Sequence, residues 1–156
     1  MAEPSVIHDT FVIEQSYPVS PERLFAAFAD PALKRRWFAE GGHHDVEAFE
    51  MDFRVGGLER AAYRFKAGGP FEGVGLANEG LYLEIVSGER IVTASTMAMG
   101  GHRISASLVT FELLAEGAGT TLVCTHQGAF FEGADGPAMR QDGWRALLDQ
   151  LAKALI

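Results

Sequence analysis

GPAMRQDGWRALLDQLAKAL, residues 136–155, is the segment on which the architecture turns. Gly136-Pro137 places a proline at a first helical position, where its missing N–H costs nothing. Trp144, Leu147, Leu148, Leu151, Ala152 and Leu155 then recur at three-and-four spacing and form one apolar stripe. Asp149 and Lys153 stand four apart on the opposite face as a favourable pair. The segment therefore reads as a long amphipathic helix that must cover an apolar surface. Gly143 inside it costs about 1 kcal/mol relative to alanine, which predicts that a strand or a ligand approaches the backbone there.

The surface is supplied upstream. Between residues 43 and 131 the chain is strand and turn, punctuated by Gly56-Gly57, Gly68-Gly69-Pro70, Ser87-Gly88 and Gly117-Ala118-Gly119. Strands are expected over residues 60–66, 74–86, 90–99, 103–114 and 120–130, several of them long enough to need a bend or bulge. Short turns between consecutive strands imply an antiparallel meander. Before it, residues 8–17 alternate as a first strand. Ser20-Pro21 and Asp30-Pro31 each open a short helix, the second ending near Trp37. The order is strand, two short helices, six strands, long helix, in one domain spanning residues 1–156.

Composition excludes several classes of function. Hydrophobic residues make up 47% and charged residues 22% of the chain, the balance of a globular protein. No apolar run approaches the ~20 residues of a membrane span, and the first residues lack a secretory signal. Cys124 is the only cysteine, so no internal disulfide forms, and the cytoplasm is the expected compartment. The net charge of -8 repels polyanions, which disfavours nucleic acid as a partner. Lys34, Arg35 and Arg36 read as complements to a helix dipole.

The element order and a series of short motifs resemble the START-like, or SRPBCC helix-grip, superfamily. Within it the chain is similar to the branch of homologues of the activator of the ninety-kilodalton heat-shock protein ATPase. The residues that carry this are Ser20-Pro21-Glu22-Arg23-Leu24-Phe25, Asp30-Pro31 with Leu33, Arg36 and Trp37, and Asp52, Arg54, Val55, Gly56 and Gly57. Gly80, Tyr82, Glu84 and Ile85, then Glu89-Arg90-Ile91-Val92, Val109 to Glu112, Gly119 to Leu122, His126 and Gly143-Trp144 extend it along the chain. The resemblance implies an α+β fold in which a seven-stranded antiparallel sheet curves around the C-terminal helix and encloses a cavity. It does not imply one activity, because the superfamily includes lipid carriers, hormone receptors, cyclases and co-chaperone domains. Phe38-Ala39-Glu40 and Ser95 depart from the branch's usual bulkier residues, and both changes widen or re-aim the expected cavity.

Strand alternation nominates the lining. If Val109 and Phe111 face the helix, Ser107, Ser105 and Arg103 share their side. Cys124 shares a side with His126, and Ser95 shares one with Met97. Tyr82, Trp37, Trp144 and Leu148 complete the expected ligand-binding set. An apolar pocket with a few convergent polar groups is the form of a small-molecule site. His126 is the one catalytic candidate, because imidazole titrates near neutrality; its other reading, a buried hydrogen-bonded histidine, is the commoner one. Arg103 reads equally as a partner for a ligand carboxylate and as a solvated strand end.

No metal site is expected. His43 and His44 are adjacent and point to opposite faces, while His8, His102 and His126 are isolated. Cys124 reads as small apolar filler. Asp52 and Arg54 read as a fold-specifying ion pair on one strand face. Three functions follow, with no cofactor in any of them. The first is a binding protein for a small apolar or aromatic molecule. The second is a cyclase-, hydratase- or lyase-type enzyme using His126 with Arg103. The third is a protein-interaction role such as chaperone stimulation, for which no exposed apolar patch is expected; a homodimer through a sheet edge is compatible with any of them.

Overall fold

The computed structural model describes residues 3–42 and 44–155, so His43 lies outside the described residues. Seven strands form one antiparallel sheet in the order β1-β7-β6-β5-β4-β3-β2. They are β1 (Ile7–Tyr17), β2 (His44–Met51), β3 (Leu58–Phe65), β4 (Gly75–Val86), β5 (Arg90–Met99), β6 (His102–Glu116) and β7 (Gly119–Phe130). From β2 to β7 every strand pairs with its sequence neighbour, and β1 closes the far side against β7. Short turns make those pairings the cheapest in loop entropy. The fold is α+β and carries the helix-grip arrangement that the resemblance implied.

Two short helices, α1 (Pro21–Ala29) and α2 (Pro31–Lys34), link β1 to β2. Ser20 caps α1 by accepting the Arg23 N–H at 3.2 Å, and Asp30 caps α2 by accepting from Ala32 at 2.9 Å. Ser20→Ala should therefore lower stability by about 1 kcal/mol, read as a parallel shift of the urea unfolding midpoint. The second helix does not run on to Trp37 as α-helix. It passes into a π-helical turn over Arg35–Ala39. That extra residue per turn turns Trp37 into the core, where its indole N–H donates to the Ala27 carbonyl at 2.9 Å.

The C-terminal helix α3 (Pro137–Ala154) packs on β1 and on the π-helical turn. Leu148 and Leu151 are fully buried, and the Tyr17 hydroxyl donates to the Leu148 carbonyl at 2.9 Å, tying β1 to the helix. The main core joins Ile13, Phe28, Trp37, Phe111, Leu122, Cys124 and these leucines into one cluster. Phe28, Trp37, Phe38, Phe111 and Trp144 meet ring to ring within it at 4.9–6.1 Å.

Three local expectations are corrected. Nothing approaches Gly143: a Cβ there would meet open space, because this side of α3 faces solvent. Asp52 and Arg54 do pair, at 2.7 Å, but in the β2–β3 loop rather than on a strand. There Gly56 takes φ +84, and a Cβ on Gly57 would run into the Asp52 carbonyl oxygen, so the glycines are sterically required. Lys34 is not a solvated dipole complement but a buried side chain, as described below.

Candidate functional site

The face of the sheet turned toward α3 is organised in rows set by the strand register. One row is bulky and apolar, running Ile91–Phe111–Cys124–Ile13 across β5, β6, β7 and β1. The next carries Tyr82–Thr93–Val109–His126–Phe11. The third is Gly80–Ser95–Ser107–Gly128, flanked by Glu59 and Asp9 at its two ends. The fourth is Asn78–Met97–Ser105–Phe130.

The third row is built of small side chains. Its ends are partly filled by neighbours: a Cβ on Gly80 would lie 2.9 Å from the Thr93 methyl, and one on Gly128 would lie 2.8 Å from the Phe130 ring. In its middle Ser95 and Ser107 stay partly open to solvent, as do Asn78 and Met97 in the adjoining row. Above it, Arg140 of α3 donates to the Ser105 hydroxyl at 3.0 Å, and Trp144, one turn on, lies against Phe111 at 5.6 Å. These two side chains bracket the row from the helix side. Phe38, partly buried, touches Trp144 at 6.1 Å and Phe49 at 6.3 Å and walls it toward β2.

Buried charge lies on two sides of the row, at Glu59 and at Arg140. Beside Glu59 sits Lys34, their side chains only 7% and 11% exposed and 2.5 Å apart. Glu59 also accepts the Tyr82 hydroxyl at 2.6 Å, while the Lys34 ammonium lies 4.7 Å from the Phe38 ring. Burial, and then the Glu59 carboxylate, holds the Tyr82 hydroxyl far above its ordinary pKa, so it stays a donor. On the other side Arg140 makes two 2.8 Å hydrogen bonds to the Asp135 carboxylate and lies 5.0 Å over the Phe130 ring.

His126 belongs to this second side. It is 1% exposed, stacked on Phe11 at 4.6 Å, and its Nδ1 has no hydrogen-bond partner among the described residues. Burial, with the Arg140 charge adding to it, lowers its pKa from 6.5 to about 4. The ring is therefore neutral at pH 7. Burial likewise pushes the Cys124 thiol up to about 12, which leaves it an unreactive thiol at neutral pH.

Of the residues nominated by alternation, Ser95, Met97, Ser105, Ser107 and His126 do share the helix-facing side of the sheet, and Trp144 overlies it. Trp37, Tyr82, Phe111, Cys124 and Leu148 are buried in the packed core beneath. Arg103 is displaced. The β5–β6 register shifts between Met97 and Ala98, leaving Ile104 as an extra residue that turns Arg103 out to an exposed position. The guanidinium over the polar row is instead that of Arg140, four residues before Trp144 on the same helical stripe. That spacing was the available signal, and an arginine in an apolar stripe hides it. Lys34 and Glu59, 25 residues apart in sequence, had no local signal at all.

Surface depressions lie at two places among the described residues. One, of about 400 Å³, spans β1, β7 and β6 and is lined by His8, Asp9, Thr10, Ala106, Ser107, Leu108, Gln127, Gly128 and Ala129, so it shares Asp9, Ser107 and Gly128 with the third row. The other, of about 420 Å³, is formed by Gly42, Phe65, Pro70 and Phe71. The convex side also exposes Leu58 and Leu81, which are partners in register. Among the described residues no group of three His, Cys, Asp or Glu is placed to hold a metal ion, and no helix is long and apolar enough to cross a membrane.

No curated protein matches the chain. Among solved structures it is similar to the Mll3558 protein from Rhizobium loti, at 46% identity and a TM-score of 0.84, over 97% of this chain and 99% of that one. An uncharacterized protein from Rhizobium leguminosarum is 36% identical, with a TM-score of 0.89 over 97% and 96%. An AHSA1-like protein from Aeromonas hydrophila, at 22% identity and a TM-score of 0.67 over 94% and 92%, shares the fold. The family model described as activator of Hsp90 ATPase homolog 1-like protein matches residues 18–155, from the end of β1 to the end of α3. With that match covering the two short helices, six of the seven strands and the gripped helix, the chain belongs to the family of activator of Hsp90 ATPase homolog 1-like proteins.

Proposed function

We propose that this protein is a cytoplasmic binding protein that holds a small apolar or aromatic molecule in the trough between the sheet and the N-terminal half of α3. The observation that carries the reading is the Gly80–Ser95–Ser107–Gly128 row: small side chains, open to solvent at their centre, bracketed by Arg140 and Trp144. A row that lacks bulk under aromatic walls offers apolar contact area that the chain itself does not fill. The aromatic members Phe38 and Trp144 would stack on a flat ligand.

Acid–base catalysis by His126 fits the geometry less well. A ring with a pKa of about 4 is a weak base at pH 7, and it lies stacked on Phe11. Binding is the reading the site supports best.

The test uses the neutral fluorescent dye N-phenyl-1-naphthylamine. The protein should bind it with a Kd on the order of 10 μM, a typical value for a small apolar ligand gaining about 7 kcal/mol. Ser95→Phe, which fills the middle of the row, should weaken binding at least about tenfold while leaving the circular dichroism spectrum unchanged. Equal dye affinity in parent and Ser95→Phe would remove the trough as the site.

A further inference from the structure

Resting on that reading of the trough, we infer that its preferred ligand is an aromatic or apolar carboxylic acid, whose carboxylate replaces Asp135 on Arg140. Arg140 is brought over the polar row, and its side chain is 8% exposed. A guanidinium so enclosed requires a permanent anionic partner, since an unpaired charge there is strongly unfavourable. Asp135 supplies it with two parallel hydrogen bonds of 2.8 Å, the fork geometry in which arginine recognises carboxylates.

The partner, however, is not built into a rigid element. Asp135 lies in the loop between β7 and α3, and its side chain is 27% exposed, far more than the arginine it pairs with. Gly133 and Gly136 flank it with φ of +81° and +88°, positions where glycine is unstrained and a side chain would not be. Asp135 thus occupies Arg140 as a tethered carboxylate that swings out when a free one arrives. The exchange trades one bidentate pair for another, so the buried guanidinium never stands uncompensated.

Two further groups favour a ligand carboxylate here. The Ser105 hydroxyl, already accepting from Arg140, retains its own proton as a donor for a carboxylate oxygen. His126, whose buried Nδ1 has no hydrogen-bond partner among the described residues, lies in the field of Arg140 and Asp135, and its Nδ1–H tautomer would be a second donor. A flat ring attached to the carboxylate would extend from Arg140 along the small-residue row toward Trp144 and Phe38.

The experiment compares 2-naphthoate with methyl 2-naphthoate as displacers of the neutral dye, in the parent protein, in Asp135→Asn and in Arg140→Gln. The acid should bind at least about tenfold more tightly than its ester, the ratio expected from one charge-assisted pair. Asp135→Asn, which removes the internal competitor from an exposed loop, should tighten acid binding about tenfold and leave the ester unchanged. The acid should also raise the Tm of Asp135→Asn more than that of the parent, because it restores the missing counter-charge. Arg140→Gln should abolish the preference; where that variant unfolds, the Asp135→Asn comparison decides alone. Equal binding of acid and ester in parent and Asp135→Asn would overturn the carboxylate assignment and leave the trough standing. Displacement of the dye by neither compound would overturn the trough and the assignment together.

Discussion

Glu59→Ala is expected to lower the free energy of unfolding by about 3–5 kcal/mol, the cost of leaving a buried partner charge unpaired. Lys34 sits 2.5 Å from Glu59 with both side chains nearly closed to solvent, and the Tyr82 hydroxyl shares the same carboxylate oxygen. Removing the carboxylate strands an ammonium among Phe38 and Tyr82 and takes the acceptor from a buried hydroxyl. The ring faces recover only part of this, since a cation–π contact contributes about 2 kcal/mol when desolvated.

The companion variant separates loss of the pair from loss of its balance. Replacing all three polar groups, in Lys34→Met/Glu59→Leu/Tyr82→Phe, should restore stability to near the parent value, because apolar groups of similar volume avoid both desolvation penalties. Chemical unfolding of the three proteins reads this directly. A Glu59→Ala cost below about 1 kcal/mol, the range of an exposed pair, would show that water reaches Lys34 in solution.

The second large effect is a dependence of stability on pH. The His126 pKa falls from 6.5 in the unfolded chain to about 4 in the folded protein. Between these values the unfolded chain binds a proton that the folded protein refuses, so acidification favours unfolding. The contribution of His126 is fully present above pH 6.5 and is lost as pH falls toward 4, below which it no longer changes. The lost stability amounts to about 3 kcal/mol.

Carboxylates also titrate in this window, so the His126 share is the difference between the parent and His126→Phe, a ring that keeps the stack on Phe11. The variant's unfolding free energy should fall less steeply from pH 6.5 to 4. The imidazole C–H resonance should titrate near pH 4. Parallel pH profiles for the two proteins, or a titration near pH 6.5, would show that the ring is solvated.

Much of the architecture was legible along the chain. Ser20-Pro21 and Asp30-Pro31 started helices where their capping chemistry required, and the stripe from Trp144 to Leu155 made a helix buried on one side. Glycine-punctuated alternation placed β3 to β7 within about two residues of their observed ends. These are local signals: a cap, a turn and an apolar period each act over a few residues, so sequence order alone carries them.

The site was decided by contacts that close only when the sheet curves around α3. A single extra residue at Ile104 turned Arg103 outward, because one bulge reverses the facing of the residues beyond it. Arg140 took the central place, drawn into an apolar stripe by Asp135 and Ser105, one near in sequence and one on another element. Lys34 looked like a helix-end cation until β3 brought Glu59 against it. Ser95 and Ser107 form one row of small residues only because register set them side by side between two glycines. The sequence alone therefore determined the elements and their order, whereas tertiary structure determined which charges are buried and where the surface stays open. Helix and strand signals are written in near neighbours, but burial and pairing depend on residues that meet only across the folded sheet.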